Sequence, residues 1–122
     1  MKRELFNQWV SALRSGKYEQ GKGLLCKNNK FCCLGVFLDI INKSYKTNAA
    51  GVRMYEGRFC QNVMGILSDQ IVEEYGFYSS YGNHIAELGD SLASLNDVKS
   101  ISFNGIADIL EFNPSMYVKL ED

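Results

Sequence analysis

Proline, histidine and tryptophan each occur once in the 122 residues, and almost no net charge is left over. No stretch approaches the ~20 consecutive apolar residues of a membrane-spanning helix, so no membrane partner is expected. Met1-Lys2-Arg3-Glu4-Leu5 carries two basic residues but lacks the apolar core of a signal peptide, which predicts a cytoplasmic protein with reduced thiols. Thirteen basic against fourteen acidic side chains leave a formal charge of −1. That balance excludes the broad Lys/Arg face on which duplex nucleic acid binding depends, and only a local patch from Lys22, Lys27, Arg53 and Arg58 remains. The glycines around Lys22 lack the Gly-x-x-x-x-Gly-Lys-Ser/Thr spacing of a phosphate-binding loop. Internal repeats, low-complexity runs and linkers are also missing. With 46% hydrophobic and 22% charged residues, the chain has ordinary globular composition, and residues 1–122 are expected to share one core.

Hydrophobic spacing supplies the elements. Leu5, Phe6, Trp9, Val10 and Leu13 form one helical stripe, and Gly16 follows as a stop. Gly23–Lys27 and Lys30–Cys33 flank Asn28-Asn29, a pair that tolerates left-handed conformations and so predicts a tight hairpin. Cys33 to Asn42 is apolar nearly all round, as in a central buried helix. Lys43, Ser44, Lys46, Thr47 and Asn48 read as a loop, whereas Val52, Met54 and Phe59 alternate around Glu56-Gly57 and predict a second hairpin. Ser68 caps a short helix that Gly76 ends, with Leu67 placed to pack on Val72. Residues 77–84 are aromatic, polar and turn-rich, and read as an exposed loop. Ile85, Leu88, Leu92 and Leu95 recur at helical spacing until Asn96-Asp97. Ser102 then caps a last helix that Pro114 stops. The fold class is therefore α+β, with two short β-hairpins packed on about four to five helices.

Three kinds of chemistry compete for the adjacent pair Cys32-Cys33. A thiol at a strand-to-helix junction gains thiolate character from the helix N-terminus. In a cysteine-dependent hydrolase, His84 would then be the base, Gln20 the oxyanion donor, and Asp39 or Asp90 the group orienting the ring. No local cysteine-protease signature accompanies these residues, so the chain is read as non-enzymatic, with the two cysteines as small side chains packing a hairpin onto a helix. A zinc site would draw on Cys26, Cys32, Cys33 and Cys60, but no Cys-x-x-Cys knuckle occurs and neighbouring cysteines in a strand point apart; neither metal nor cofactor is expected. For binding, Arg53, Tyr55 and Arg58 near the second hairpin, with Tyr78, Tyr81 and His84 in the loop, combine bidentate phosphate donors with stacking faces. The same residue types suit a protein interface.

Trp9-Val10-x-Ala12-Leu13-Arg14-Ser15-Gly16-x-Tyr18-x-Gln20-Gly21, the run Phe31 to Asp39, and Leu92-Ala93-Ser94-Leu95-Asn96-Asp97 followed by Ser102-Phe103-x-x-Ile106-Ala107-Asp108 together resemble a family of small phage and prophage proteins. About half of the chain carries the likeness, and no catalytic or binding residue comes with it. The resemblance implies a viral setting in the bacterial host cytoplasm, where small accessory proteins antagonise host defence. The expected function is stoichiometric binding of a host defence component, first a nucleotide-derived immune signal, with direct inhibition of a host defence protein as the alternative. A homo-oligomer is open, since small ligand traps often build sites across symmetric interfaces.

Overall fold

A computed structural model describes residues 1–41, 45–51, 53–55, 67–86 and 89–121, with backbone alone at 45 and 53–55. The first helix, α1 (Arg3–Arg14), buries Phe6, Trp9, Val10 and Leu13 and ends before Gly16, whose φ of +76° is a left-handed stop. Trp9 sits edge-on to Phe6, Phe37 and Phe77 at centroid separations of 6.4, 5.3 and 5.8 Å. Its indole N–H donates to the Cys33 carbonyl at 3.0 Å, satisfying the one polar atom it takes inside. That carbonyl belongs to α2 (Cys33–Ile41), which buries Cys33 to Phe37 and Leu38 without a polar face and is the central helix of the domain.

Three short strands precede and feed α2. β2 (Cys26–Lys27) and β3 (Lys30–Phe31) pair antiparallel around Asn28 and Asn29, whose φ values of 53° and 61° are those of a hairpin turn. β1 (Glu19–Gln20) adds to β3 in parallel, giving the order β1-β3-β2. β1 was not expected, because two residues cannot show a period. A second hairpin is present among the described residues, formed by a segment whose polar residues suggest a loop. β4 (Tyr45–Thr47), read from its polar residues as loop, pairs with β5 (Arg53–Tyr55) in the register Tyr45↔Tyr55 and Thr47↔Arg53. The connection between them includes Gly51 at φ +81°, and the turn expected at Glu56-Gly57 lies outside the described residues. The Asn28 N–H donates to the Gly51 carbonyl at 2.8 Å and ties the two hairpin tips together.

The remaining helices are α3 (Asp69–Tyr75), α4 (Leu92–Asp97) and α5 (Phe103–Phe112), each with a serine accepting from a first-turn amide: Ser68, Ser91 and Ser102. Gly76 ends α3 at φ +87°. α4 begins at Leu92 and not at Ile85, a correction with a local cause. The Leu92 and Ala93 amides donate to the Gly82 and Tyr81 carbonyls, while Ile85 donates to Met116, so the chain before Ser91 is spent on tertiary bonds. The segment 77–84 is likewise less exposed than its composition suggests: Phe77 is buried in the core, and among its aromatic residues only Tyr81 is exposed. α1 packs on both α5 and α2, and α4 packs on α2 and α5. Arg14 braces the outer end of α1 against α5 through Asp108 and Glu111, both at 2.7 Å, an exposed pairing of small energetic weight. Among the described residues no helix is long and apolar enough to cross a membrane.

Candidate functional site

The β3–α2 junction places Cys32 and Cys33 where the sequence suggests, and their surroundings remove the thiolate. Cys32 is 1% exposed and Cys33 is 0% exposed. The Cys32 sulfur accepts from the Gly35 amide at 3.3 Å, acting as a cap for α2, and the Cys33 thiol donates to the Leu92 carbonyl at 3.6 Å. Burial pushes the Cys32 thiol from 9.0 up to about 12, with nearby Asp97 adding to the rise and the Gly35 amide opposing it. Burial raises the Cys33 thiol as well, followed by Cys32 and Asp97. The partial positive charge of the helix N-terminus is thus outweighed by desolvation, which counts against the activated-thiol alternative and agrees with the expected role of the pair as small packing side chains.

The other members of that constellation are engaged elsewhere. His84 Nδ1 accepts from the Ala86 amide at 3.1 Å and its ring lies edge-on to Tyr117. Tyr117 is raised above its ordinary phenolic value by burial and then by Asp90. Asp39 accepts from the Tyr18 hydroxyl at 2.6 Å, and Asp90 from Ser94 at 3.4 Å. No hydrogen bond among the described residues joins His84 to a thiol or to either aspartate. Among those residues there is also no group of three His, Cys, Asp or Glu side chains able to hold a metal ion; Cys60 lies outside them.

Two outcomes follow for the thiols. Native protein is expected to leave Cys26, Cys32 and Cys33 unmodified by iodoacetamide while denatured protein reacts fully, read by peptide mass spectrometry; rapid native labelling of Cys32 would show the thiolate to be accessible after all. Because the folded thiols hold their protons above the pH at which unfolded thiols lose them, stability is intact below pH 9 and falls as pH rises towards 12. By pH 10 the loss from Cys32 is on the order of 1 kcal/mol, and Cys33 adds to it in the same direction, measurable by denaturant titration at pH 8 and pH 10.

Gln20, assigned to an oxyanion in the enzymatic reading, is instead part of a buried polar node centred on Asn96. Asn96 is 0% exposed and uses all its side-chain valences. Its Oδ1 accepts from Gln20 Nε2 at 2.9 Å and from the Cys33 amide at 3.2 Å; its Nδ2 donates to the Gly21 carbonyl and to Asp97, both at 2.8 Å. Gln20 also donates to the Ile101 carbonyl at 2.8 Å and accepts from the Phe103 amide at 3.1 Å. One amide pair therefore holds β1 and the N-termini of α2 and α5 on α4. Asn96 was missed as an individual residue, although the pattern Leu92, Leu95, Asn96 puts it on the buried face of a helix, where a polar side chain needs partners.

The binding residues expected from sequence divide into separate places. Tyr78 and His84 face the C-terminal segment: the Tyr78 hydroxyl donates to the Ser115 carbonyl at 2.9 Å, with Lys119 Nζ 5.5 Å from its ring. Tyr81 is 52% exposed nearby in the chain. Arg53 and Tyr55 lie at the two ends of β5, and Arg58 falls outside the described residues. No described contact brings Tyr78, Tyr81 or His84 to the hairpins.

What does come together at the hairpin tips is cationic. Lys22 and Lys27, expected as part of a patch, line one depression of about 260 Å³ with Lys30, Gly21, Leu24 and Asn28. Lys30 lies 3.7 Å from Glu19, and Lys22 donates to the Ser100 hydroxyl. No carboxylate among the described residues is within ion-pair distance of Lys22 or Lys27. A second depression of about 200 Å³ adjoins the first through Asn28 and is lined by Cys26, Asn29, Thr47 and Gly51. Lys30 was overlooked because hairpin pairing, not sequence spacing, sets it beside Lys27.

A buried polar node centred on Asn96 and a lysine-lined depression beside the first hairpin are thus set into a small α+β domain. The chain belongs to the family described as Domain of unknown function (DUF8296), whose model matches residues 1–114 and so takes in the node and both depressions. No curated protein and no solved structure matches the chain.

Proposed function

We propose that this protein acts by stoichiometric binding, sequestering a nucleotide-derived immune signal as a phage accessory protein that antagonises a bacterial defence system from within the host cytoplasm. The observation that carries this reading is the convergence of Lys22, Lys27 and Lys30 on one depression in a chain whose overall charge is −1. Lysines lining one concavity, with Lys22 and Lys27 lacking a carboxylate within ion-pair distance among the described residues, favour an anion more than scattered surface lysines do. Its buried, protonated thiols and fully engaged Gln20 support binding without turnover. The phage setting rests on the resemblance in the three motifs. The protein-inhibitor reading draws on a different observation: Phe112, at the end of α5, is 87% exposed, and exposed aromatics anchor protein interfaces.

Thermal-shift titration against cyclic di- and trinucleotides, ADP-ribose derivatives and nucleoside phosphates tests the reading, because a ligand bound only by the folded state raises the melting temperature. The expected result is a shift with phosphate-bearing ligands that is recovered unaltered by mass and shrinks as salt rises. The double variant Lys22→Gln/Lys27→Gln should lose the shift yet melt as the parent does without ligand, since both side chains are exposed. A panel without any shift overturns sequestration, and a ligand released with changed mass overturns binding without catalysis. Loss of host-protein capture on Phe112→Ser, with no nucleotide shift, would establish the inhibitor reading in its place.

A further inference from the structure

We infer that the lysine-lined depression takes a terminal phosphate group, and that Glu19 is its internal competitor, a carboxylate whose place at Lys30 the bound phosphate takes over. The inference rests on the binding function proposed above and adds the class of phosphate and a residue that limits affinity. The strand order β1-β3-β2 makes Glu19, Lys30 and Lys27 successive cross-strand neighbours, and such neighbours share one face of a sheet. Lys27 and Lys30 are therefore like charges directly opposite each other, which is destabilising unless an anion lies beside them. Glu19 supplies one at the β1 end of this row, 3.7 Å from the Lys30 ammonium. Lys27, at the β2 end, has no carboxylate within ion-pair distance among the described residues, and it lines the depression with Lys30 and Lys22. The row is thus half compensated, and its uncompensated half borders the depression.

Size and charge select the occupant. At about 260 Å³ the depression is smaller than the sites of about 300–1,000 Å³ that enclose whole small molecules, so it suits one anionic group of a larger ligand. Its three lysines and Glu19 leave a local charge of +2. A terminal phosphate carries about −1.5 to −2 at neutral pH and cancels that charge, whereas a phosphodiester group carries a single negative charge and cancels half. Lys22 adds to the attraction although its ammonium donates to the Ser100 hydroxyl, because that oxygen is uncharged. At Lys30 the exchange is feasible: its pair with Glu19 is solvent-exposed, the side chains being 54% and 69% accessible, and exposed pairs of this kind are weak. A dianion attracts the ammonium about twice as strongly as a carboxylate at equal distance, so a terminal phosphate displaces Glu19 and a diester does so to a lesser degree.

Isothermal titration with adenosine 5′-monophosphate and its 3′,5′-cyclic form provides the test, since the two share base and sugar and differ in phosphate class. The 5′-monophosphate is expected to bind at least about threefold more tightly. Glu19→Gln, at an exposed position, should tighten the 5′-monophosphate by about two- to fivefold and the cyclic form by less, a gain that misfolding cannot imitate. Lys27→Gln should weaken both. Equal or tighter binding of the cyclic form overturns selection of a terminal phosphate while sequestration stands. Unchanged affinity in the Glu19→Gln variant overturns the competition at Lys30 while the anion site stands. Binding of neither ligand overturns this inference, and the function on which it rests falls with it only if the thermal-shift panel is silent too.

Discussion

Asn96→Leu is expected to lower the melting temperature by about 10–20 °C, as read by circular dichroism or calorimetry. Leucine keeps the branching of asparagine but is bulkier, so unpaired groups carry most of the cost and overpacking adds to it at this fully buried site. The substitution orphans the Cys33 amide at the start of α2 and the Gly21 carbonyl after β1, and it takes one of two acceptors from Gln20 Nε2. A buried backbone group left without a partner costs about 1–3 kcal/mol, so two such groups cost about 2–6 kcal/mol against a total of about 5–15. In a domain of this length each kcal/mol moves the midpoint by about 3–5 °C. Asn96→Asp separates the node's acceptor role from its donor role. A carboxylate still accepts from Gln20 and Cys33, but it faces the Gly21 carbonyl and Asp97 where the amide donated. It is expected to be destabilising at neutral pH, with part of the loss recovered in mild acid as the new carboxyl takes up a proton. A Leu variant that melts with the parent would show that water replaces the amide and that the node holds nothing together.

The node also shows how far the sequence could be read. α1, α3 and α5 were legible because each has either a clean apolar stripe or a serine cap with a glycine or proline stop, and α2 because its run is apolar nearly all round; these are local signals. β1 and the β4–β5 pairing were not, since strands of two or three residues show no period and their partners are chosen by tertiary bonds such as Asn28 to Gly51. The start of α4 was misplaced for a related reason: Ile85 and Leu88 have helical spacing to Leu92, but the amides of Leu92 and Ala93 are satisfied by a loop folded back from residues 81 and 82. Cys32 and Cys33 were legible as small side chains packing the hairpin onto α2, and the activated-thiol alternative could be weighed only once the helices around α2 had set their burial, which outweighs the helix N-terminus that the sequence reveals. Lys22 and Lys27 were found as charges, while the place of Lys30 beside Lys27 depends on which strands pair. The three sequence motifs make sense in the same terms: Gln20 and Gly21, Cys33, Asn96 and Phe103 are far apart in sequence and meet in one set of hydrogen bonds.

Gly35→Ala sets two physical effects of opposite sign against each other, and the structure says which wins. Helix propensity alone favours alanine over glycine inside α2 by about 1 kcal/mol, so an argument from secondary structure expects a rise in melting temperature. Gly35, however, is where α2 meets the strand entering β2. A β-carbon at this position would stand 1.8 Å from the Leu25 carbonyl oxygen and 2.7 Å from its carbon. Those are backbone atoms, and no rotamer change can move them. Nor can α2 slide away at little cost, since the Cys32 amide donates to that same Leu25 carbonyl at 3.2 Å, the Cys33 amide is held by Asn96, and the Cys33 carbonyl is held by Trp9. Relief of the overlap must break at least one of these bonds and open the core around Trp9 and Phe37. The expected loss is therefore more than about 3 kcal/mol, at or beyond the upper end for overpacking, with most of the expressed protein insoluble. Gly16→Ala supplies the comparison: its left-handed φ of +76° carries the usual strain of about 1 kcal/mol, but nothing lies within 4 Å of the added carbon. If Gly35→Ala melted at or above the parent temperature, helix propensity would have prevailed, and the close approach of α2 to Leu25 would be wrong.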